Sequence, residues 1–109
     1  MRLKQLTHVR LIEVGASWKT KEEVIRHLID RLHQEGKISS LEAFYSAVME
    51  RESQSPTGLE GGFAIPHGKS PAVRSAAFAV AKLAEPIRDW ESLDPDNEVD
   101  LAFLLAIPE

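Results

Sequence analysis

The chain has four histidines and no cysteine, so its nucleophilic and acid–base potential rests mainly on imidazole. Disulfide frameworks, zinc ribbons, iron–sulfur ligation and thiol catalysis are thereby excluded. His27 and His33 lie off the apolar stripe of an amphipathic helix and read as solvent-facing, and His8 opens a strand. No pair of histidines has the HExxH spacing or a third ligand nearby in sequence, so no metal site is expected. His67 differs. It stands between Pro66 and Gly68 at the end of a short apolar run, Phe63-Ala64-Ile65. Rigid strand ends commonly carry chemistry. His67 therefore reads either as a positioned nucleophile or base, or as a loop histidine whose proline serves the backbone alone.

Arg51 also has two readings. It falls in the last turn of a helix, where the helix dipole favours a cation. If the following loop folds back, its guanidinium would lie near His67 and could grip a phosphoryl group with two N–H donors. Two glycine patterns fail as nucleotide motifs. Gly68-Lys69-Ser70 would need a glycine at position 63, which is Phe63, and Pro66 would remove an amide from the cradle. Gly58-x-x-Gly61-Gly62 has the wrong spacing for a dinucleotide fingerprint and leads into a strand. Glu50, Glu52 and Glu60 read as solvated charges.

The elements that must position these residues follow from periodicity. His8–Val14 reads as a strand and Gly15–Lys19 as a turn. Thr20 and Glu23 form a capping box, Val24, Ile25, Leu28, Ile29 and Leu32 share one face, and Gly36 closes a helix from about Lys21 to Glu35. Ser39 with Glu42 starts a second helix, striped by Leu41, Phe44, Tyr45, Val48 and Met49 and ending near Glu52. Residues 56–71 hold four of the six glycines and three of the six prolines, so the backbone there is closely specified. Ala76–Leu83 and Val99–Ile107 read as strands buried on both faces, separated by an acidic turn region around Trp90. Two helices among four strands make an α/β sandwich.

Composition agrees with one domain over residues 1–109. The chain is 43 % hydrophobic and 28 % charged, with a net charge of −4. Residues 1–38 carry eight basic and five acidic side chains (+3), and residues 39–109 carry five and twelve (−7). Neither half has a basic stripe with interleaved aromatics, so no nucleic-acid partner is expected. The opening hexapeptide has no apolar core after its charges. No run approaches the ~18 apolar residues of a membrane span. A cytoplasmic protein without membrane insertion is the expectation.

Arg51-Glu52, then Pro56-Thr57-Gly58, then Gly62-Phe63-Ala64-Ile65-Pro66-His67-Gly68 resembles the active-site signature of fructose/mannitol-type enzyme IIA domains. These are the type-2 EIIA domains of the bacterial phosphoenolpyruvate-dependent sugar phosphotransferase system. Thr20–Ile25, Ile87–Trp90 and Leu101–Glu109 are similar to its other segments, so the resemblance spans essentially the whole chain. It implies a mixed β-sheet flanked by helices, of the phosphotransferase/anion-transport-protein-like kind. It implies that His67 accepts a phosphoryl group from the histidine-containing phosphocarrier protein and passes it to a IIB component of a membrane sugar transporter. Arg51 would support the phosphohistidine, Thr57 and the Gly68 amide would contact phosphate, and no cofactor is required. The same motif serves a regulatory alternative, a nitrogen-regulatory or transcription-regulator module switched by phosphorylation of His67.

The resemblance also implies a further C-terminal part, since the family continues past the strand at Leu101–Ile107, and a truncated domain is the expectation. With two helices to cover strands read as buried on both faces, one sheet face is expected to stay bare and to promote self-association.

Overall fold

The computed structural model describes residues 6–109; residues 1–5, which include most of the opening hexapeptide, lie outside the described residues. A 3-10 turn at Val9–Leu11 leads into β1 (Ile12–Ala16), followed by α1 (Lys21–Gln34) and α2 (Leu41–Gln54). Then come β2 (Phe63–Ala64), β3 (His67–Ser70), β4 (Ala77–Ile87) and β5 (Val99–Pro108). One mixed sheet contains all five strands. Its order is β1-β4-β5-β2, and β3 pairs with β5 on the same side as β2, further along that strand. Only β4 and β5 run antiparallel; β1 lies parallel to β4, and β2 and β3 parallel to β5.

The mixed sheet with helices is as the sequence implies, but several boundaries move. The expected strand at His8–Val14 begins late because His8 caps a tight turn. Its Nδ1 accepts from the Arg10 amide (3.1 Å), its carbonyl accepts from the Leu11 amide (2.7 Å), and the turn buries Leu11 completely. The strand then runs through Gly15. That glycine has φ +76° and sits at a bulge between Val14 and Ala16, a conformation costly for a side-chain-bearing residue.

The first helix is as expected. Thr20 Oγ1 accepts from the Glu23 amide at 3.1 Å, and five residues of the stripe are buried. Each such side chain contributes about 1.5–3 kcal/mol by leaving water. The second helix is capped by Ser40, one residue later than the spacing predicts. Ser39 is held outside it, because both its amide (2.8 Å) and its hydroxyl (3.2 Å) donate to the carbonyl of Ala72.

The largest difference concerns the sheet. β4 and β5 are buried on one face only. Ala77, Ala79 and Ala81 face Ala106, Leu104 and Ala102 across the ladder, and this mostly alanine row lies under α1, while α2 packs on β3. The opposite row, Phe78, Val80, Leu101, Phe103 and Leu105, is half-buried. Continuous apolar runs hid this alternation, because both rows are apolar and only their sizes differ. The face expected to stay bare is therefore only half-covered among the described residues.

Candidate functional site

β3 begins at His67 and has no sequence signal of its own, since His-Gly-Lys-Ser lacks both alternation and β-branched residues. It exists because β5 templates it. His67, Gly68, Lys69 and Ser70 pair with Leu105, Ala106, Ile107 and Pro108. Pro66 is buried between β2 and β3, and its carbonyl accepts from the Leu105 amide at 3.0 Å. Proline fixes φ there and removes one donor. Thus His67 is the first residue after a pinned joint, with little freedom in its backbone.

The ring is held as well. His67 Nδ1 lies 3.0 Å from the carbonyl oxygen of Ile65. A carbonyl only accepts, so Nδ1 carries a hydrogen, and in the neutral ring Nε2 is the nitrogen with the lone pair. The Ile65 amide in turn donates to the Thr57 carbonyl at 2.9 Å. Thr57 belongs to a loop clasped to residues 90–97. Gly58 N donates to Glu91 O (3.1 Å), Leu93 N to Gly58 O (3.0 Å), and Gly62 N to the buried Asn97 Oδ1 (2.7 Å). Gly58 approaches so closely that a Cβ would overlap the Ser92 side chain and lie 2.7 Å from the Glu91 carbonyl oxygen. The glycine-rich stretch is therefore closely held, and its hydrogen bonds lead to the His67 ring.

His67 opens onto a shallow cleft at the sheet edge, lined by Ala47, Glu50, Arg51 and Gln54 of α2 and by His67, Gly68, Lys69 and Ile107. Arg51 and His67 do come together. Arg51 Nη1 donates to the Ser55 carbonyl at 3.0 Å, closing the end of α2, and the guanidinium has further N–H donors for an oxyanion. Gly68 faces α2, where a Cβ would meet Val48 Cγ2 at 2.9 Å. Its lack of a side chain lets the helix carrying Arg51 approach the strand carrying His67.

Thr57 is placed differently from the phosphate contact expected of it. It is 2 % exposed and absent from the cleft lining, and its hydroxyl accepts from Trp90 Nε1 at 3.5 Å. Burial beside the indole directs the side chain inward. Glu52 is also unlike its reading as a solvated charge: its side chain is 4 % exposed and pairs with Lys21 at 3.4 Å. No periodic signal marks it, since a glutamate one turn after Val48 reads as the end of a stripe. Lys69, which the sequence reading left aside with the failed P-loop, lines the cleft two residues beyond His67 on the same strand. Among the described residues, no helix is long and apolar enough to cross a membrane.

Comparison with known proteins places this geometry. The model of the family described as "Phosphoenolpyruvate-dependent sugar phosphotransferase system, EIIA 2" matches residues 5–109. The chain is 50 % identical over 108 residues to the PTS system 2-O-alpha-mannosyl-D-glycerate-specific EIIABC component of Escherichia coli strain K12. The match covers 99 % of this chain and 16 % of that protein, so the chain spans about a sixth of its relative's length. The crystal structure of nitrogen regulatory protein IIA-Ntr from Neisseria meningitidis superposes with a TM-score of 0.86 at 27 % identity, covering 96 % of this chain and 70 % of that one. Enzyme IIA-mannitol, in its complex with phosphorylated enzyme IIB-mannitol from Escherichia coli, superposes at 0.79 with 25 % identity, covering 93 % and 69 %.

Proposed function

Because the chain belongs to the EIIA 2 family of the phosphoenolpyruvate-dependent sugar phosphotransferase system, we propose that it is a IIA phosphotransferase that relays a phosphoryl group through His67. The observation that carries this is the 3.0 Å contact from His67 Nδ1 to the Ile65 carbonyl, at the edge of a cleft that also holds Arg51. With its hydrogen fixed on Nδ1, the ring attacks phosphorus through Nε2. A P–N bond forms to Nε2 as the P–N bond of the donor phosphohistidine breaks, and the donor imidazole leaves with the bonding electron pair. The hydrogen stays on Nδ1, donated to the Ile65 carbonyl, which stabilises the positive charge that the ring acquires. The reverse roles apply when an acceptor on a IIB component takes the group.

Such transfer depends on alignment and charge stabilisation. Arg51 supplies a planar fork of donors toward the phosphoryl oxygens. Gly68 brings α2 within reach, and Thr57 acts through its backbone on Ile65. The phosphocarrier protein as donor and a IIB component as acceptor rest on family membership, with the IIA–IIB complex of the mannitol relative as the structural parallel. The sugar-specific relative supports the sugar-transport reading over the regulatory one, although the nitrogen-regulatory protein shares the fold. Incubation with phosphoenolpyruvate, enzyme I and the phosphocarrier, followed by intact mass, tests the reading. One acid-labile phosphate should appear and vanish in His67→Ala; label that persists, or that maps to His8, His27 or His33, refutes it.

A further inference from the structure

Lys21 and Glu52 make an ion pair that nothing in the phosphoryl relay uses, and it is costly where it stands. Lys21 is the first residue of α1, at the end where the helix dipole disfavours a cation, and Glu52 lies in the last turn of α2, where an anion is disfavoured. The two side chains are 16 % and 4 % exposed, so both charges have left most of their water. Their atoms are 3.4 Å apart, and Glu52 Oε2 is buried without any hydrogen-bond partner. A buried pair so poorly satisfied contributes little stability, and well-packed apolar residues in its place often stabilise more.

Its position gives it another use. Phe44, Val48 and Glu52 follow one another at four-residue spacing along one face of α2, and the first two touch the position of Gly68. Glu52 thus ends the face that packs on β3, and it ties that end to α1. The next residue back is Arg51, rotated toward the cleft. The turn carrying Arg51 closes without a glycine C-cap. Arg51 donates to the carbonyl of Ser55, the extended residue that follows the helix, and Ser53 Oγ donates to Glu50 O at 2.6 Å. Helix ends fray, and a contact from another element, here Lys21 of α1, holds this one from outside.

We propose that the Lys21–Glu52 pair is a positioning device for the phosphoryl relay: it fixes the last turn of α2 against α1 and so sets Arg51 relative to His67. This rests on the reading of His67 and Arg51 given above. The pair acts through Arg51, so it affects the rate of transfer more than the affinity for the donor protein.

The test is Lys21→Met/Glu52→Leu in the full chain, which fills the volume without charge. Its thermal midpoint should equal or exceed that of the parent. Its rate of phosphoryl uptake from the phosphorylated phosphocarrier should fall about tenfold, as expected for a displacement of a fraction of an ångström at a reacting centre. KM for the donor should stay unchanged. In an Arg51→Ala background the same double change should cost nothing further, because the residue through which it acts is gone. Lys21→Glu/Glu52→Lys restores a pair with each charge at its favoured helix end, and it should recover the rate. A folded apolar variant with the parent rate overturns the proposal. So does a loss confined to KM, an additive loss in the Arg51→Ala background, or a folded charge swap as slow as the apolar variant. Arg51→Ala alone separates this from the parent reading: parental rates there would refute the role of Arg51 itself.

Discussion

Replacing Gly68 by alanine should damage both stability and transfer, and the size of the damage can be worked out from α2. An added Cβ would lie 2.9 Å from Val48 Cγ2, 3.2 Å from Phe44 Cε1 and 3.2 Å from the Val48 backbone nitrogen. Carbon contacts settle near 3.5–4.0 Å, so the helix must retreat by roughly half an ångström. Rotating the valine relieves only one of the three contacts, because its backbone nitrogen cannot turn away. Overpacking of this kind costs about 1–3 kcal/mol. Gly68 does not have a positive φ, so alanine introduces no backbone strain, and restricting the unfolded chain returns about 0.4–1 kcal/mol.

The net loss centres on about 1.3 kcal/mol, which lowers the melting midpoint by roughly 5–10 °C in a domain near this size. The same retreat carries Arg51 away from His67, so uptake of phosphate should slow by about tenfold in protein that remains folded. Calorimetry and rapid-quench labelling with the phosphorylated phosphocarrier read the two effects. Adding Val48→Ala to Gly68→Ala should cost less than the sum of the two single changes, since it removes the nearest clash. An unchanged midpoint together with the parental rate would refute the close approach of α2 to β3 as the reason for glycine.

Three further outcomes follow. Arg51→Lys should slow transfer clearly despite the retained charge, because an ammonium lacks the planar fork; parental rates would leave Arg51 only its bond to the Ser55 carbonyl. Thr57→Val should cost about 1–2 kcal/mol by leaving the buried Trp90 N–H without an acceptor, while folded protein transfers phosphate normally; lost transfer at unchanged stability would instead put the hydroxyl on the phosphoryl group. The outer sheet face, where Phe103 lies 6.4 Å from both Phe63 and Phe78 between ring centroids, should make this 109-residue chain associate with rising concentration. Phe103→Lys should abolish that association in sedimentation velocity, and a parent chain monomeric at every concentration refutes it.

The helices were legible in the sequence because their signals are local. Thr20 with Glu23 and the stripe from Val24 to Leu32 fix α1 within one residue of its observed end, and the cap of α2 moved by one because Ser39 is claimed by Ala72, 33 residues away. His67 was legible for the same reason, as its neighbours Pro66 and Gly68 are punctuation that any reading must explain. What stayed hidden depends on contacts distant in sequence. β3 has no strand pattern and forms because β5 offers it a partner, while the alternation of β4 and β5 vanished into alanine and phenylalanine that score alike as apolar. Glu52 belongs to the same class. A buried carboxylate and a solvated one are spelled identically, and only the arrival of Lys21 from another helix separates them.

The placement of the His67 ring is itself assembled from both kinds of information. Pro66 and Gly68 are local, yet the tautomer depends on Ile65, Ile65 is held by Thr57, and Thr57 is held by a loop some 35 residues further along the chain. Each of these links is a hydrogen bond worth about 1 kcal/mol by itself. Together they leave the imidazole one way to carry its hydrogen and one nitrogen to present. In the proposed relay this supplies the alignment, and Arg51 the charge stabilisation, on which phosphoryl transfer depends. The glycine-rich stretch therefore serves here as scaffold: its glycines admit Glu91, Ser92 and Val48 at distances a side chain would forbid, and the rigidity so gained is delivered to a single ring.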